Sequence, residues 1–182
     1  MTAARRRWAA ELLHVWFQRL GPADWYGGGA EVDALLRRRF VREWKTLRHR
    51  PAREFLGDLR TAQAAILLFD QVPRNLFRGQ ARAFASDPLA RQLARTAIAR
   101  GWDVRLPERE RAFIAMPLMH SEEIADQRAS LAYFARSPQQ RRFAVSHYRM
   151  IARFGRFPHR NPALGRKSSA AEKRAVAAGY AW

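Results

Sequence analysis

Cysteine is absent from the 182-residue sequence. Its absence excludes disulfide bonds, thiolate catalysis and zinc sites built on cysteine, and it is compatible with a reducing, cytosolic environment. Long apolar runs are absent as well, since none approaches the roughly 18 residues that a membrane-spanning helix requires. The N-terminal segment carries Glu11, His14 and Arg19, which a signal peptide would not have in its apolar region. We therefore predict a cytoplasmic protein with no membrane partner.

Lysine is nearly absent, and arginine supplies the positive charge. Only Lys45, Lys167 and Lys173 are lysines, so 31 of the 34 basic residues are arginines, and the formal net charge is +18. Such a charge suggests nucleic-acid binding. However, the arginines are scattered along the chain rather than collected in one stripe, and a GC-rich coding sequence produces the same excess of arginine over lysine. Binding of RNA or DNA is therefore an alternative hypothesis, not the first one.

Strand patterns are also missing, because no run alternates apolar and polar residues with β-branched enrichment. Apolar residues recur at helical spacing instead, as in the run Val32, Leu35, Leu36, Phe40, Trp44 and Leu47. Prolines, glycines and capping residues mark the helix boundaries, namely Gly21-Pro22, Ser86-Asp87-Pro88, Gly101, Ser137-Pro138, Gly155 and the capping box Ser169 to Glu172. We predict an all-α protein with roughly seven to nine helices in antiparallel pairs. A single domain is expected to span residues 1–182, and six tryptophans leave room for a homodimer interface.

A polar segment follows one of the most apolar parts of the chain. Residues 64–69 form a nearly continuous apolar run, and Asp70 follows it directly. Pro73 lacks an N–H and disfavours helical geometry at Val72, so we expect the helix to kink or stop there. Polar side chains at a broken helix end beside the core are typical of a pocket wall. The candidate ligand-binding residues of this segment are Asp70, Arg74, Asn75 and Arg78.

The segment around Pro117 repeats this construction, with an apolar helix interrupted by proline and followed by a polar cluster. In a structural interpretation, Ser121 caps the next helix and an acidic first turn suits the helix dipole. In a functional interpretation, Glu122 and Asp126 share a helix face beside His120, as groups that transfer protons or hold a divalent ion. The spacing does not match a metal-site signature, so no metal is predicted. The candidates are His120, Glu122 and Asp126 for catalysis and Gln127 for ligand binding.

A third polar segment lies between Gly155 and Gly165. Pro158 and Pro162 fix an irregular path, and the side chains between residues 156 and 161 offer donors suited to a carboxylate or phosphate. The structural alternative is a loop whose side chains cap nearby helix ends. The candidates are Arg156, Arg160 and Asn161 for ligand binding and His159 for catalysis.

Four blocks of the sequence resemble the bacterial family known as domain of unknown function 924. They are residues 68–79, residues 83–88, residues 117–122 with Asp126-Gln127, and residues 153–161. The resemblance begins near Val15-Trp16-Phe17 and covers nearly the whole chain, although Val72 stands where phenylalanine is common. It implies a tetratricopeptide-like, all-helical stack, and it implies no known activity.

Our working hypothesis is that the three polar segments converge on one concave site. Arg74, Arg156 and Arg160 would bind an anionic group, Asp70, Asn75 and Gln127 would orient it, and His120, Glu122, Asp126 and His159 would transfer protons. The site would bind a small anionic molecule or a peptide end, without a cofactor, and the sequence does not decide whether the protein is an enzyme. The alternatives are a helical scaffold that binds a protein segment, an RNA-binding protein, and buried polar networks with a purely structural role.

Overall fold

The fold is entirely helical in the computed structural model, which describes residues 7–180. Nine helices occur in this range when α4 and α5 are counted as one, and no strand occurs in it, which confirms the all-α prediction. The helices are α1 Arg7–His14, α2 Pro22–Gly27, α3 Ala30–Leu47, α4 Leu59–Ile66, α5 Val72–Leu76, α6 Asp87–Ala99, α7 Glu108–Met119, α8 Ile124–Tyr133, α9 Pro138–Phe154 and α10 Ala170–Ala177. Within these residues, no helix has the length and apolar character needed to cross a membrane.

The chain divides into two compact units. The first unit contains residues 7–78 and Arg82–Pro117, and the second contains Gly79–Ala81 and residues 118–180. The prediction of a single domain over residues 1–182 stays a prediction, and residues 1–6 and 181–182 lie outside the part of the chain that the structure describes.

The core of the first unit is aromatic. Trp44 and Phe40 lie one turn apart on α3 and are almost completely buried, as the helical spacing predicted. The Trp44 ring packs against Phe77 with 4.7 Å between centroids, and Trp16 packs edge-on against Phe113 at 5.7 Å. Burial of each such side chain contributes on the order of 2–3 kcal/mol. Packing of this kind fixes the helices that carry the first polar segment.

Pro73 does not stop its helix. A π-helical turn, Leu67–Gln71, joins α4 to α5, and Val72 keeps helical dihedral angles of φ −54° and ψ −47°. The expected departure of Val72 from helical geometry is therefore wrong. The physical reason is tertiary: Ser86 Oγ donates a hydrogen bond of 2.7 Å to the carbonyl of Phe69, the group that the missing N–H of Pro73 leaves without its usual partner. Proline is thus accommodated inside a buried helix.

Two boundary predictions near Pro117 are also wrong. Pro117 lies within α7, which continues to Met119, and the hydrogen bond that proline removes belongs to the last turn of the helix. Ser121 is not the N-cap of α8, because that position is held by Glu123. The Ser121 hydroxyl instead accepts the N–H of Glu123 at 3.1 Å. Glu122 therefore lies in the connection before α8 and does not share a helix face with Asp126.

The second unit is built from α8, α9 and α10. Its apolar cluster contains Met150, Ile151, Phe157 and Ala175. Gly155, with a φ of +67°, ends α9 in the left-handed conformation that glycine adopts without strain. Ser169 and Glu172 form the predicted capping box of α10, with reciprocal hydrogen bonds of 3.2 and 2.7 Å. These ends hold the loop from residue 156 to residue 169 between two defined helices.

Candidate functional site

Arg74 is held by two carboxylates of the first unit. Its guanidinium makes two parallel hydrogen bonds to Asp87, of 2.9 and 3.0 Å, and lies 3.3 Å from the buried carboxylate of Asp70. It also donates to the backbone carbonyl of Asp70. Burial opposes the charge of Arg74, but the two carboxylates outweigh it and raise the pKa of the guanidinium. The cationic group predicted to bind a ligand is thus surrounded by acidic partners of its own chain.

Asn75 and Arg78 belong to a neighbouring network. Arg78 donates to both carboxylate oxygens of Asp33, at 2.8 and 3.0 Å, and to the side-chain oxygen of Asn75 at 2.8 Å. Asn75 donates in turn to the carbonyl of Gln71 at 3.2 Å. Gly28 permits this arrangement, since a Cβ at that position would lie 2.2 Å from the guanidinium of Arg78. The four candidates of the first unit therefore make hydrogen bonds that connect α3, α5 and α6.

Glu122 anchors the connection before α8 to the loop after α9. Its carboxylate accepts two hydrogen bonds from Arg166, at 2.8 and 2.9 Å, and one from the backbone N–H of Phe157 at 2.8 Å. Partial burial disfavours the ionised form, but these hydrogen bonds outweigh it and lower the pKa of Glu122. A carboxylate held ionised in this way is suited to binding a cation, and poorly suited to accepting a proton at neutral pH.

Arg156 and Asn161 meet the carboxylate of Glu172. Arg156 donates to its two oxygens at 2.6 and 3.0 Å, and Asn161 donates to Ser168 Oγ at 3.0 Å and to Glu172 at 3.4 Å. The hydrogen bonds from Arg156 and from the backbone of Ser169 lower the pKa of Glu172 to about 2. This network fastens the loop to the first turn of α10, as the capping alternative described.

Gln127 and Asp126 are buried on α8. The Gln127 amide donates to the carbonyls of Met119 and Ser121 at 2.7 and 2.6 Å, and so stabilises the connection between α7 and α8. Its Oε1 atom has no hydrogen-bond partner among residues 7–180. Asp126 has only 2% of its surface exposed. Both side chains are therefore shielded from solvent.

Three of the five histidines lie in one group, two of them against the ring of Phe157 and the third against His147. The His147 ring lies 5.4 Å from Phe157 and 6.1 Å from His120, and the His159 ring lies 5.7 Å from Phe157. The guanidinium of Arg160 stacks over the same ring at 4.5 Å and donates to the carbonyl of His120 at 2.9 Å. We call these five residues the Phe157 cluster. Three of them, His120, His159 and Arg160, are predicted site residues.

His147 is the member of the cluster that sequence reasoning missed. It lies on the buried face of α9 with Ala144 and Ile151, three and four residues away, so its position in the helical period was the available signal. Its Nδ1 lies 2.9 Å from the carbonyl of Phe143, and because a carbonyl only accepts, this nitrogen carries the proton. Burial, and then the electrostatic interaction with His120, lower the pKa of His147 to about 3. Its imidazole is therefore neutral at pH 7, with Nε2 as an acceptor.

The structure assigns the twelve predicted site residues to both units. Asp70, Arg74, Asn75 and Arg78 belong to the first unit, and the other eight belong to the second. A site that combined all three polar segments would need residues of both units, and the convergence of the segments stays a prediction. Within residues 7–180, no group of three or more histidine or acidic side chains is arranged to hold a metal ion.

Comparison with known proteins places the chain in a family. The model for "Bacterial protein of unknown function (DUF924)" matches residues 12–179. The solved structure of the protein of unknown function ATU0120 from Agrobacterium tumefaciens matches with a TM-score of 0.87 and 35% sequence identity, over 94% of this chain and 97% of that chain. Among curated proteins, none matches the sequence. The chain therefore belongs to the bacterial family of proteins of unknown function DUF924.

Proposed function

We propose that the second unit binds a small anionic group, such as a carboxylate or a phosphate, at the Phe157 cluster. His120, His159 and Arg160 supply the donors, and the two histidines are the groups that can exchange a proton with the ligand. The ligand is a small molecule or a peptide end, as the sequence analysis expected. The tetratricopeptide-like stack and the cytoplasmic location belong to the same proposal.

The grouping of three histidines and one arginine in the Phe157 cluster is the observation that carries the proposal. Arg160 and His147 are buried, whereas His120 and His159 are half-buried and so accessible from solvent. The site thus has a rigid interior and two imidazoles at its edge. A rigid interior lowers the entropy cost of ligand binding, because fewer side chains have to be ordered.

The charge of Arg160 supports an anionic ligand in particular. Its guanidinium is positive at neutral pH and lies over the Phe157 ring, within the cluster. An anion in this region is therefore attracted. Glu122 and Asp126 are not needed as proton donors in this proposal, since Glu122 is held ionised by Arg166 and Asp126 is buried.

The test is a titration with inorganic phosphate at constant ionic strength, followed by the imidazole signals in nuclear magnetic resonance and by calorimetry. We expect saturable shifts for His120, His147 and His159, and none for His14 and His49, which are exposed in the first unit. His159→Asn is expected to weaken binding about tenfold, as the loss of one charge-assisted hydrogen bond does.

The matched control is His49→Asn, which removes an exposed histidine far from the cluster in sequence. Equal weakening by both substitutions would mean that phosphate binds the net charge of the protein, and not this cluster. Linear, unsaturated shifts of all five imidazoles would also contradict the proposal.

A further inference from the structure

A second feature of the second unit is a cavity between α9 and α10. Its volume is about 490 Å³, within the range of roughly 300–1,000 Å³ that is typical of small-ligand sites. Arg149 and Arg153 line it from α9, and Arg174 lines it from α10. It shares no lining residue with the Phe157 cluster. We call it the α9–α10 groove.

The groove exists because α10 presents small residues to it. Ala171 and Ala175 lie one turn apart on the lining face of α10, and Ala178 follows directly after the last residue of the helix. Met150 and Tyr180 complete an apolar floor, and Met150 and Ala175 also belong to the apolar cluster of the unit. The floor therefore offers an apolar surface that a ligand could cover.

The rim of the groove is positive and contains no acidic residue. Arg149, Arg153 and Arg174 make no ion pair with an aspartate or glutamate of residues 7–180, in contrast to Arg156 and Arg166 of the same unit. The guanidinium carbon of Arg153 lies over the ring of Phe154, 5.0 Å from its centroid, and this contact engages the face of the guanidinium rather than its N–H donors. Three arginines around an apolar floor are complementary to a molecule with an apolar body and an anionic head.

We propose that the α9–α10 groove binds a soluble amphipathic anion, with its alkyl or aryl body on Met150, Ala175 and Tyr180 and its carboxylate or phosphate head between Arg149, Arg153 and Arg174. This site is separate from the Phe157 cluster, so either proposal can fail without the other.

The first experiment compares four ligands on the full chain by isothermal titration calorimetry: sodium acetate, hexanoate and octanoate, and octylammonium chloride, all below their micelle concentrations. Octanoate is expected to bind at least about fivefold more tightly than acetate, because its longer chain covers part of the apolar floor. Octylammonium is expected to bind at least about tenfold more weakly than octanoate, since its head is repelled by the arginines. Equal affinity for acetate and octanoate, or for octanoate and octylammonium, would overturn the proposal.

The second experiment locates the site. The double variant Arg149→Ala/Arg174→Ala is expected to bind octanoate about tenfold more weakly. Arg128→Ala is the matched control, because Arg128 is exposed on α8 of the same unit and does not line the groove. Alanine favours helix at all three positions, so folding is preserved, which circular dichroism checks. Similar weakening in the control, or none in the double variant, would overturn the assignment to this groove.

Discussion

The buried imidazole of His147 makes the free energy of unfolding depend on pH between 7 and 5. Its pKa is about 3 in the folded protein and about 6.5 in the unfolded chain. As the pH falls through 6.5, the unfolded chain takes up a proton that the folded protein does not, so the unfolded state is favoured. The contribution of His147 to the free energy of unfolding is therefore fully present above pH 6.5 and is lost progressively as the pH falls toward 3. From these two values, the loss between pH 7 and pH 5 is about 2 kcal/mol.

Urea denaturation at pH 7, 6 and 5 measures this loss, and His147→Gln removes its source. The variant is expected to be less stable at pH 7, but its free energy of unfolding should change about 2 kcal/mol less over this range than that of the wild type. Carboxylates with a lowered pKa, such as Glu122, contribute stability that is lost only as the pH falls below about 4.5, so they leave this window unaffected.

His49→Gln is the matched control, because His49 is exposed and its removal should leave the pH dependence unchanged. If wild type and His147→Gln had parallel curves, the imidazole would not be held neutral by burial, and the reasoning would be refuted. Phosphate provides a further check at pH 5. An anion at the Phe157 cluster would reduce the repulsion between His147 and its cationic neighbours, and so would reduce the loss of stability.

Three substitutions in the first unit test the packing of its polar segment by urea denaturation. Arg74→Ala is expected to cost about 3 kcal/mol, because it leaves two carboxylates without their cation, whereas a loss below about 1 kcal/mol would favour a ligand contact. Gly28→Ala is expected to cost about 1–2 kcal/mol, since φ is +64° and the new Cβ meets the guanidinium of Arg78. Gly27→Ala is the control and should be neutral or stabilising, because the space around Gly27 is open. Equal losses of stability in the two variants would contradict this explanation. Ser86→Ala is expected to cost about 2 kcal/mol in the wild type. In the Pro73→Ala variant, where residue 73 again has an N–H for the carbonyl of Phe69, Ser86→Ala is expected to cost about 1 kcal/mol less. The same cost in both proteins would mean that Ser86 does not replace the N–H that Pro73 lacks.

The helices were predictable because their signals are local. The apolar residues of α3 recur every turn, α9 starts after Ser137 and ends at Gly155, and the capping box of α10 lies where its spacing placed it. Each of these features depends on residues within four positions of one another along the chain. The helical period and the caps therefore define the elements before any tertiary contact is known.

The continuation of the helix through Pro73 was not predictable for the opposite reason. The compensating hydroxyl belongs to Ser86, which follows Phe69 by 17 residues, and that hydroxyl also accepts a hydrogen bond of 3.0 Å from the indole of Trp44. Ser86 was expected to cap α6, and its side chain makes no capping hydrogen bond. A local rule assigned the serine to the nearest helix end. In the folded chain its hydroxyl instead donates to the carbonyl of Phe69, to which Pro73 has no N–H to donate.

The same limit applies to the arginines. A guanidinium that binds a carboxylate of its own chain and one that binds a ligand have the same chemistry, so the residue type alone does not separate them. Arg74 pairs with Asp87, which lies 13 residues away, and Arg166 pairs with Glu122, 44 residues away. Only the folded chain shows that these cations are already neutralised. Arg149, Arg153 and Arg174 form no such pair among the described residues, and they surround the apolar floor of the α9–α10 groove. These arginines are therefore better candidates for binding an anion than Arg74, which is already paired with Asp87.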